Sequence, residues 1–410
     1  MTRYTRLGPA TPQLLLMSAM IFLAMYGRVV LSPLLVFIQE DLSIGPARAT
    51  QLYLPMSLAY SVAMLVSGFI AARWGHRSTI SLSAIIMGLG LGAIALGRNL
   101  MVMHLAFGLI GAGAGLYPPS GVASLTAMVD DSIRGRAIAV HESGPNTAFV
   151  VAPLIVAGMV LVTGWRWVPG VSAIAAFVLA LGFHRFSKAG GFYPEKPHLD
   201  NLRAIFVQRE FWAITVFFSL AASSTLGVFS ILPTFLIGVE GYDQGLVNTL
   251  LSVSRVSGIV MVFTSGYLVD RVGVRRLIGA VMAITGAITL GIGVLTGTAM
   301  LAAVFLQPII ITAFFPAVVS AMADLGPPKV RNVAVSVMIP TVNLVSSGLF
   351  PPVMGALTER GLIRWGFVGL GAAMLVSLIL LPLLAARGSA TPPAPEKSPA
   401  PGRTDIDSPS

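Results

Sequence analysis

Cysteine is absent from the 410 residues, and charge is scarce: Asp, Glu, Lys and Arg together supply 10% of the chain. The first absence excludes disulfides and thiolate metal centres. The second excludes an ordinary soluble surface, which carries about 25% charged residues. Acids are rarer than bases, 16 against 26, for a net charge of +10. That excess is dispersed among short loops and forms no basic domain able to hold a duplex, so nucleic acid is not an expected partner. No GxxxxGK[ST] phosphate loop occurs, which removes an ATP-driven pump of the P-loop kind. No nucleophile–base arrangement or metal-ligand cluster stands out either, so neither an enzyme nor a cofactor is expected.

What the chain has is apolar length. Apolar residues make up 55% of it, and the mean hydropathy is +0.86. Runs long enough to cross a bilayer fall near 13–37, 50–72, 79–97, 100–127, 137–162 and 166–184, and again near 211–238, 246–268, 276–296, 299–323, 332–356 and 363–386. The expected fold is an all-α polytopic membrane protein of twelve transmembrane helices in two pseudo-symmetric six-helix bundles. The expected organisation is a cytoplasmic N-terminus over 1–12, bundles over 13–186 and 211–386, a linker over 187–210 and a Pro/Ser-rich disordered tail over 387–410. The first 11 residues lack an apolar core, so the first run is read as a retained span, not a cleaved signal. With the N-terminus inside, 19 of the 26 basic residues lie on the cytoplasmic side and five on the other. The positive-inside bias thus places both termini in the cytoplasm.

The two sets of six repeat. Gly68, Arg73, Gly75 and Arg77 match Gly266, Arg271, Gly273 and Arg275 at an offset of 198; Arg134, Asn146 and Gly158 match Arg331, Asn343 and Gly355 at 197; Pro153 matches Pro351 at 198. A near-constant offset across separate segments indicates duplicated halves, an arrangement that puts a substrate site at their interface.

These residues resemble the major facilitator superfamily of secondary transporters. Its loop signature between the second and third helices, approximately G-x-L-A-D-R-x-G-R-[RK], is carried by the second half as GYLVDRVGVRR, residues 266–276. The first half has Ala72 where the family has Asp. The resemblance covers about 13–386 and implies alternating access. It implies a gating cluster of Gly68, Arg73, Gly75 and Arg77 in one half and Gly266, Asp270, Arg271, Gly273 and Arg275 in the other. The alternative is that these arginines simply enforce topology.

The remaining candidates are polar residues inside spans. Arg28 and Arg255 sit mid-run, where a charge costs roughly 2.5–3.5 kcal/mol to insert. Arginine binds carboxylate or phosphate through a planar fork and stays charged at any relevant pH. One such residue per half would let an anion bridge the halves. An arginine capped by carbonyls near Gly27 and Pro33 is the other reading of Arg28. An arginine in the eighth helix also resembles monocarboxylate- and oxalate-type facilitators, although Leu251 stands where those have a carboxylate. Glu142 is the one acid within the spans away from their ends. It is the candidate proton carrier, or else a partner of Arg134, Arg136 or a cavity arginine. His141 is expected on a different face, about 100° away around the helix. Tyr117, Gln307 and Asn343 complete the substrate-binding candidates. The alternating small residues Gly111, Gly113 and Gly115 read as close helix packing.

Two arginines against one glutamate leave the cavity positive. The reading is a monomeric transporter of a small organic anion, most simply a carboxylate, with either protons as the coupling ion or anion exchange without them. The short loops and Ala/Gly/Pro content place it in a bacterial inner membrane. A drug–proton efflux antiporter and a nontransporting receptor of the same fold are the alternatives.

Overall fold

In lipid, a backbone must satisfy its own hydrogen bonds, and a helix does so within one segment. The computed structural model describes residues 4–193, 206–323, 325 and 328–384; the side chains of 131, 257–260, 262–266, 270, 323 and 328–333 fall outside that description. Among the described residues the chain is helical, with no β-structure beyond a single bridge between Tyr4 and Val129. The first half contains α1 (Leu7–Leu42), α2 (46–74), α3 (76–96), α4 (Leu100–Met128), α5 (Asp131–Thr163) and α6 (Trp167–Phe186). The second contains α7 (Arg209–Val239), α8 (Gln244–Val272), α9 (Val274–Val294), α10 (Gly297–Met322), α11 (Ala334–Glu359) and α12 (Ile363–Leu383). Each expected span holds one of these helices, so the chain is a helical polytopic membrane protein in two halves. The tail over 387–410 and residues 194–205 of the expected linker lie outside the described residues.

The helix of α1 starts at Leu7, inside the segment expected to be a polar N-terminus. Pro9 falls in its first turn, where a missing N–H loses no bond. The same helix breaks at Val30, because Pro33 has no N–H for the carbonyl of Val29. This break sits two residues from Arg28.

The internal duplication is visible in the backbone. Gly75 (φ 80°, ψ 157°) turns α2 into α3, and Gly273 (φ 84°, ψ 148°) turns α8 into α9 in the same conformation. A side chain is strained at such φ, so only glycine makes this one-residue joint freely. A second duplicated device braces the other end. Arg166, at the head of α6, donates to Asp41 Oδ2 at 2.6 Å and to the carbonyls of Ala95 and Gly97 at 3.0 and 2.6 Å. Arg364, 198 positions on at the head of α12, donates to Glu240 Oε1 and to the carbonyl of Leu295, both at 2.8 Å. Each arginine ties the last helix of its half to the end of the first helix and to the turn joining the third and fourth.

Burial sorts the helices. The apolar windows of α1 and α7 are 72% and 78% buried. That pair is therefore central. The halves meet through α1 with α7, α2 with α11, and α5 with α8. Ser61 Oγ donates to the Pro340 carbonyl at 3.0 Å, Ser32 Oγ to the Phe229 carbonyl at 2.6 Å, and Gln39 Nε2 to Thr234 Oγ1 at 3.4 Å. The N–H of Ala47 donates to Glu359 Oε1 at 3.1 Å. These bonds run from the middle of the bundle to the end remote from the termini, hereafter the far end.

Candidate functional site

Arg28 leaves α1 beside its break and is buried between the halves, 8% exposed. Its Nη2 donates to Asn343 Oδ1 at 2.5 Å and to Ser347 Oγ at 3.3 Å, both on α11. The guanidinium lies 4.5 Å from the centre of the Tyr60 ring on α2. Among the described residues no carboxylate pairs with it, and its Nε has no hydrogen-bond partner. A buried cation compensated by neutral dipoles and a ring face is under-satisfied. Beside it lies a cavity of about 20 Å³ lined by Ser32, Tyr53, Phe229, Ser230 and Ser347 among others. That volume holds about one water. The Tyr53 hydroxyl is also buried without a partner.

Asn343 is held from α2. Its Nδ2 donates to Ser57 Oγ at 2.7 Å and to the Ser57 carbonyl at 3.3 Å, while Ser57 Oγ donates to the Asn343 carbonyl at 2.8 Å. Those bonds orient the amide so that its oxygen faces Arg28. The approach is close: a Cβ on Gly348 would stand 2.7 Å from Ser57 Cβ.

Arg255 enters the same region from α8. Its guanidinium lies 4.3 Å from the Phe149 ring centre and 5.2 Å from that of Phe229, and the two rings pack edge to face at 5.0 Å. Nη2 donates to the Thr225 carbonyl at 3.0 Å. That carbonyl belongs to a π-helical turn, Ser223–Gly227, a wide turn frequent at functional sites. Gln307 Nε2 on α10 donates to the neighbouring carbonyl of Ser224 at 2.6 Å and to Ser224 Oγ. A second π-helical turn, Leu344–Leu349, follows Asn343 and carries Ser347. Phe229 thus connects the two cations, lining the cavity at Arg28 and lying under Arg255.

The other candidates are placed apart. Gln307 is spent on α7 within the second half. Tyr117 is fully buried inside the first half, its hydroxyl donating to the Met17 carbonyl at 3.0 Å and lying 2.8 Å from His141 Nε2. Glu142 has half its side chain exposed and pairs with His141 Nδ1 at 3.1 Å. His141 and Glu142 lie on different faces, the first buried and the second half exposed, yet their side chains meet. The 100° between adjacent Cα positions is spanned because the imidazole, stacked on Tyr117 with centroids 5.9 Å apart, turns Nδ1 toward its neighbour.

Of the loop cluster, Gly68 is half-buried and Arg73 exposed. Gly75 packs near Phe192 and Tyr193, while the N–H of Arg77 donates to the Gly190 carbonyl at 2.9 Å and its Nε to that of Ala189 at 3.5 Å. Arg271 lies 5.1 Å from the Tyr267 ring, and Arg275 beyond Gly273 is half-buried. The side chains of Gly266 and Asp270 lie outside the described residues. Sequence reasoning missed Ser57, Tyr60, Phe149 and Phe229. The arginines that brace the far end, Arg166 and Arg364, are related by the same 198-residue offset as the glycine loops.

The profile of the Major Facilitator Superfamily matches residues 17–306 and 256–408. The chain is 24% identical to the probable metabolite transport protein CsbC of Bacillus subtilis over 404 residues, 86% of each chain. It is 24% identical to the probable L-galactonate transporter of Escherichia coli over 57% of this chain and 55% of that one, and 22% identical to the E. coli hexuronate transporter over 37% and 35%. Among solved structures, a bacterial homologue of the human lysosomal transporter Spinster, inward-facing and unoccupied, superposes with a TM-score of 0.72 at 17% identity, covering 92% of this chain and 96% of that one. A POT family transporter in complex with 5-aminolevulinic acid superposes at 0.75 with 14% identity, covering 90% and 96%. At these identities the likeness is one of fold.

Proposed function

The chain belongs to the Major Facilitator Superfamily, and from that premise we propose that it carries a small organic anion, a carboxylate, across a bacterial inner membrane by alternating access. The observation that carries this reading is the pair Arg28 and Arg255. They come from opposite halves, no described carboxylate neutralises either, and Phe229 adjoins both. A ligand bearing negative charge supplies the missing compensation, whereas a cation is repelled. Aromatic faces under both guanidinium groups keep them partly desolvated, which strengthens the attraction. Two of the relatives are named for sugar acids, galactonate and hexuronate, which are carboxylates.

With both termini cytoplasmic, the closed far end is the periplasmic one. The doubled glycine loops, with Arg73, Arg77, Asp270, Arg271 and Arg275, then serve as the cytoplasmic gate. Glu142 with His141 is the proton-coupling unit. Tyr117 has one hydroxyl proton and gives it to Met17, a carbonyl that can only accept. His141 Nε2 therefore donates to Tyr117, and Nδ1 faces Glu142.

The test is transport in proteoliposomes. Lactate, gluconate and glucuronate are offered with and without an imposed proton gradient to the wild type, Arg28→Ala and Arg255→Ala. Saturable carboxylate flux that is lost in both variants is expected. Flux of lipophilic cations, untouched by either substitution, would refute the reading.

A further inference from the structure

Asn343 occupies the position a carboxylate would take. Its amide oxygen accepts from Arg28 Nη2 at 2.5 Å, and Ser57 fixes the amide so that the oxygen and not the NH₂ points there. As the structure stands, the room beside Arg28 is about that of one water, about 20 Å³. An anion that takes Nη2 of Arg28 therefore competes with Asn343 for it. The same bonds hold α2 to α11, where Ser57 Oγ also grips the Asn343 carbonyl and Gly348 lets the backbones touch.

We propose that Asn343, oriented by Ser57, is a built-in competitor for Arg28: in the far-end-closed state it displaces the transported anion, and an anion that retakes Arg28 releases the α2–α11 contact. This inference rests on the reading of Arg28 as an anion site and gives Asn343 a different part from ligand contact. The mechanism is intramolecular competition. An amide is a weaker partner for guanidinium than a carboxylate, but tethered across the interface it acts at high effective concentration. Arg28 is then never left bare as the empty carrier closes, and carboxylate affinity is lowered by the population of the latched state. The unpartnered Nε of Arg28 and hydroxyl of Tyr53 are the groups left over when an amide with one oxygen stands in for a ligand with two.

The test compares lactate and gluconate affinity in the wild type, Asn343→Ala, Asn343→Asp and Ser57→Ala, with far-end separation read between spin labels at Arg48→Cys and Arg360→Cys. Both label sites are exposed, and the chain carries no other cysteine. A hydrogen bond to a charged group corresponds to a factor of about ten or more. Asn343→Ala is therefore expected to bind carboxylate about tenfold or more tighter and to shift the label distance toward longer values. Ser57→Ala, which leaves the amide only its bond to the Ser57 carbonyl, shifts both readouts the same way by a smaller amount. Asn343→Asp pairs with Arg28, abolishes carboxylate binding and keeps the short distance. Opposite signs from two substitutions at one position exclude a simple folding defect. The inference is overturned if wild type binds carboxylate while Asn343→Ala binds it no better, or loses it as Arg28→Ala does. If neither wild type nor variant binds any carboxylate, the anion reading itself falls and takes this one with it.

Discussion

Adding one methyl group to Gly115 tests how the fold holds the site. A Cβ there would stand 2.2 Å from the carbonyl oxygen of Tyr60, against 3.4 Å for ordinary contact, so α2 and α4 must part by about 1.2 Å. Gly111, one turn earlier, faces the Met56 carbonyl with a would-be Cβ distance of 1.9 Å, so the whole interface is at backbone contact. Rigid backbone, unlike a side-chain tip, cannot swing aside. Overpacking of this kind costs about 1–3 kcal/mol. Tyr60 also lies under Arg28 at 4.5 Å, so the shift reaches the site. Gly115→Ala is expected to lower thermal stability by about 1–3 kcal/mol and to weaken anion binding. The control lies on the same helix: a Cβ on Gly108 meets nothing within 4 Å, so Gly108→Ala should be neutral or stabilising by up to about 1 kcal/mol through helix propensity. Melting of the two variants side by side decides the matter. If Gly115→Ala is as harmless as Gly108→Ala, the account of α2–α4 packing is wrong.

Three further outcomes follow from particular contacts. Tyr117→Phe leaves the Met17 carbonyl and His141 Nε2 without their partner. It should cost about 1–3 kcal/mol of stability while leaving anion affinity unchanged, as a calorimetric titration can show; a large loss of affinity would move Tyr117 into the ligand site. Gln307→Leu strips the Ser224 carbonyl in the π-helical turn and should destabilise by a similar amount, read by thermal melting. Arg364→Ala unpairs Glu240, whose side chain is 17% exposed, and frees the α9–α10 turn. The ion pair alone is worth about 1 kcal/mol or less; a loss beyond that, measured against Glu240→Gln, reports the bond to the Leu295 carbonyl.

How much of this was legible in the sequence follows from which forces act locally. Span positions were legible because apolar length alone decides them. The repeat was legible through Gly75 and Gly273, whose backbone conformation tolerates little else. Close packing at Gly111, Gly113 and Gly115 was readable from the small residues, though not its partition: Gly111 and Gly115 face α2, while a Cβ on Gly113 would meet the Ser83 carbonyl on α3. The arginines announced themselves by the cost of burying them. Their partners did not. Ser57 and Asn343 are 286 positions apart, and a serine in a membrane helix carries no mark of the residue it grips. The π-helical turn that gives Arg255 its carbonyl is a backbone rearrangement with no composition of its own. The wheel angle separated His141 from Glu142 correctly, but it places Cα atoms and did not reveal that an imidazole can reach its neighbour.

The most direct test of the central claim is a thermal-shift screen of the purified protein against carboxylates, organophosphates and lipophilic cations, repeated on Arg28→Ala and Arg255→Ala. A ligand that binds only the folded state, present at 100 times its dissociation constant, stabilises by about 2.7 kcal/mol. Stabilisation by one class of anion, absent in both variants, is the predicted result. Stabilisation by cations, or by anions indifferent to both arginines, would contradict it.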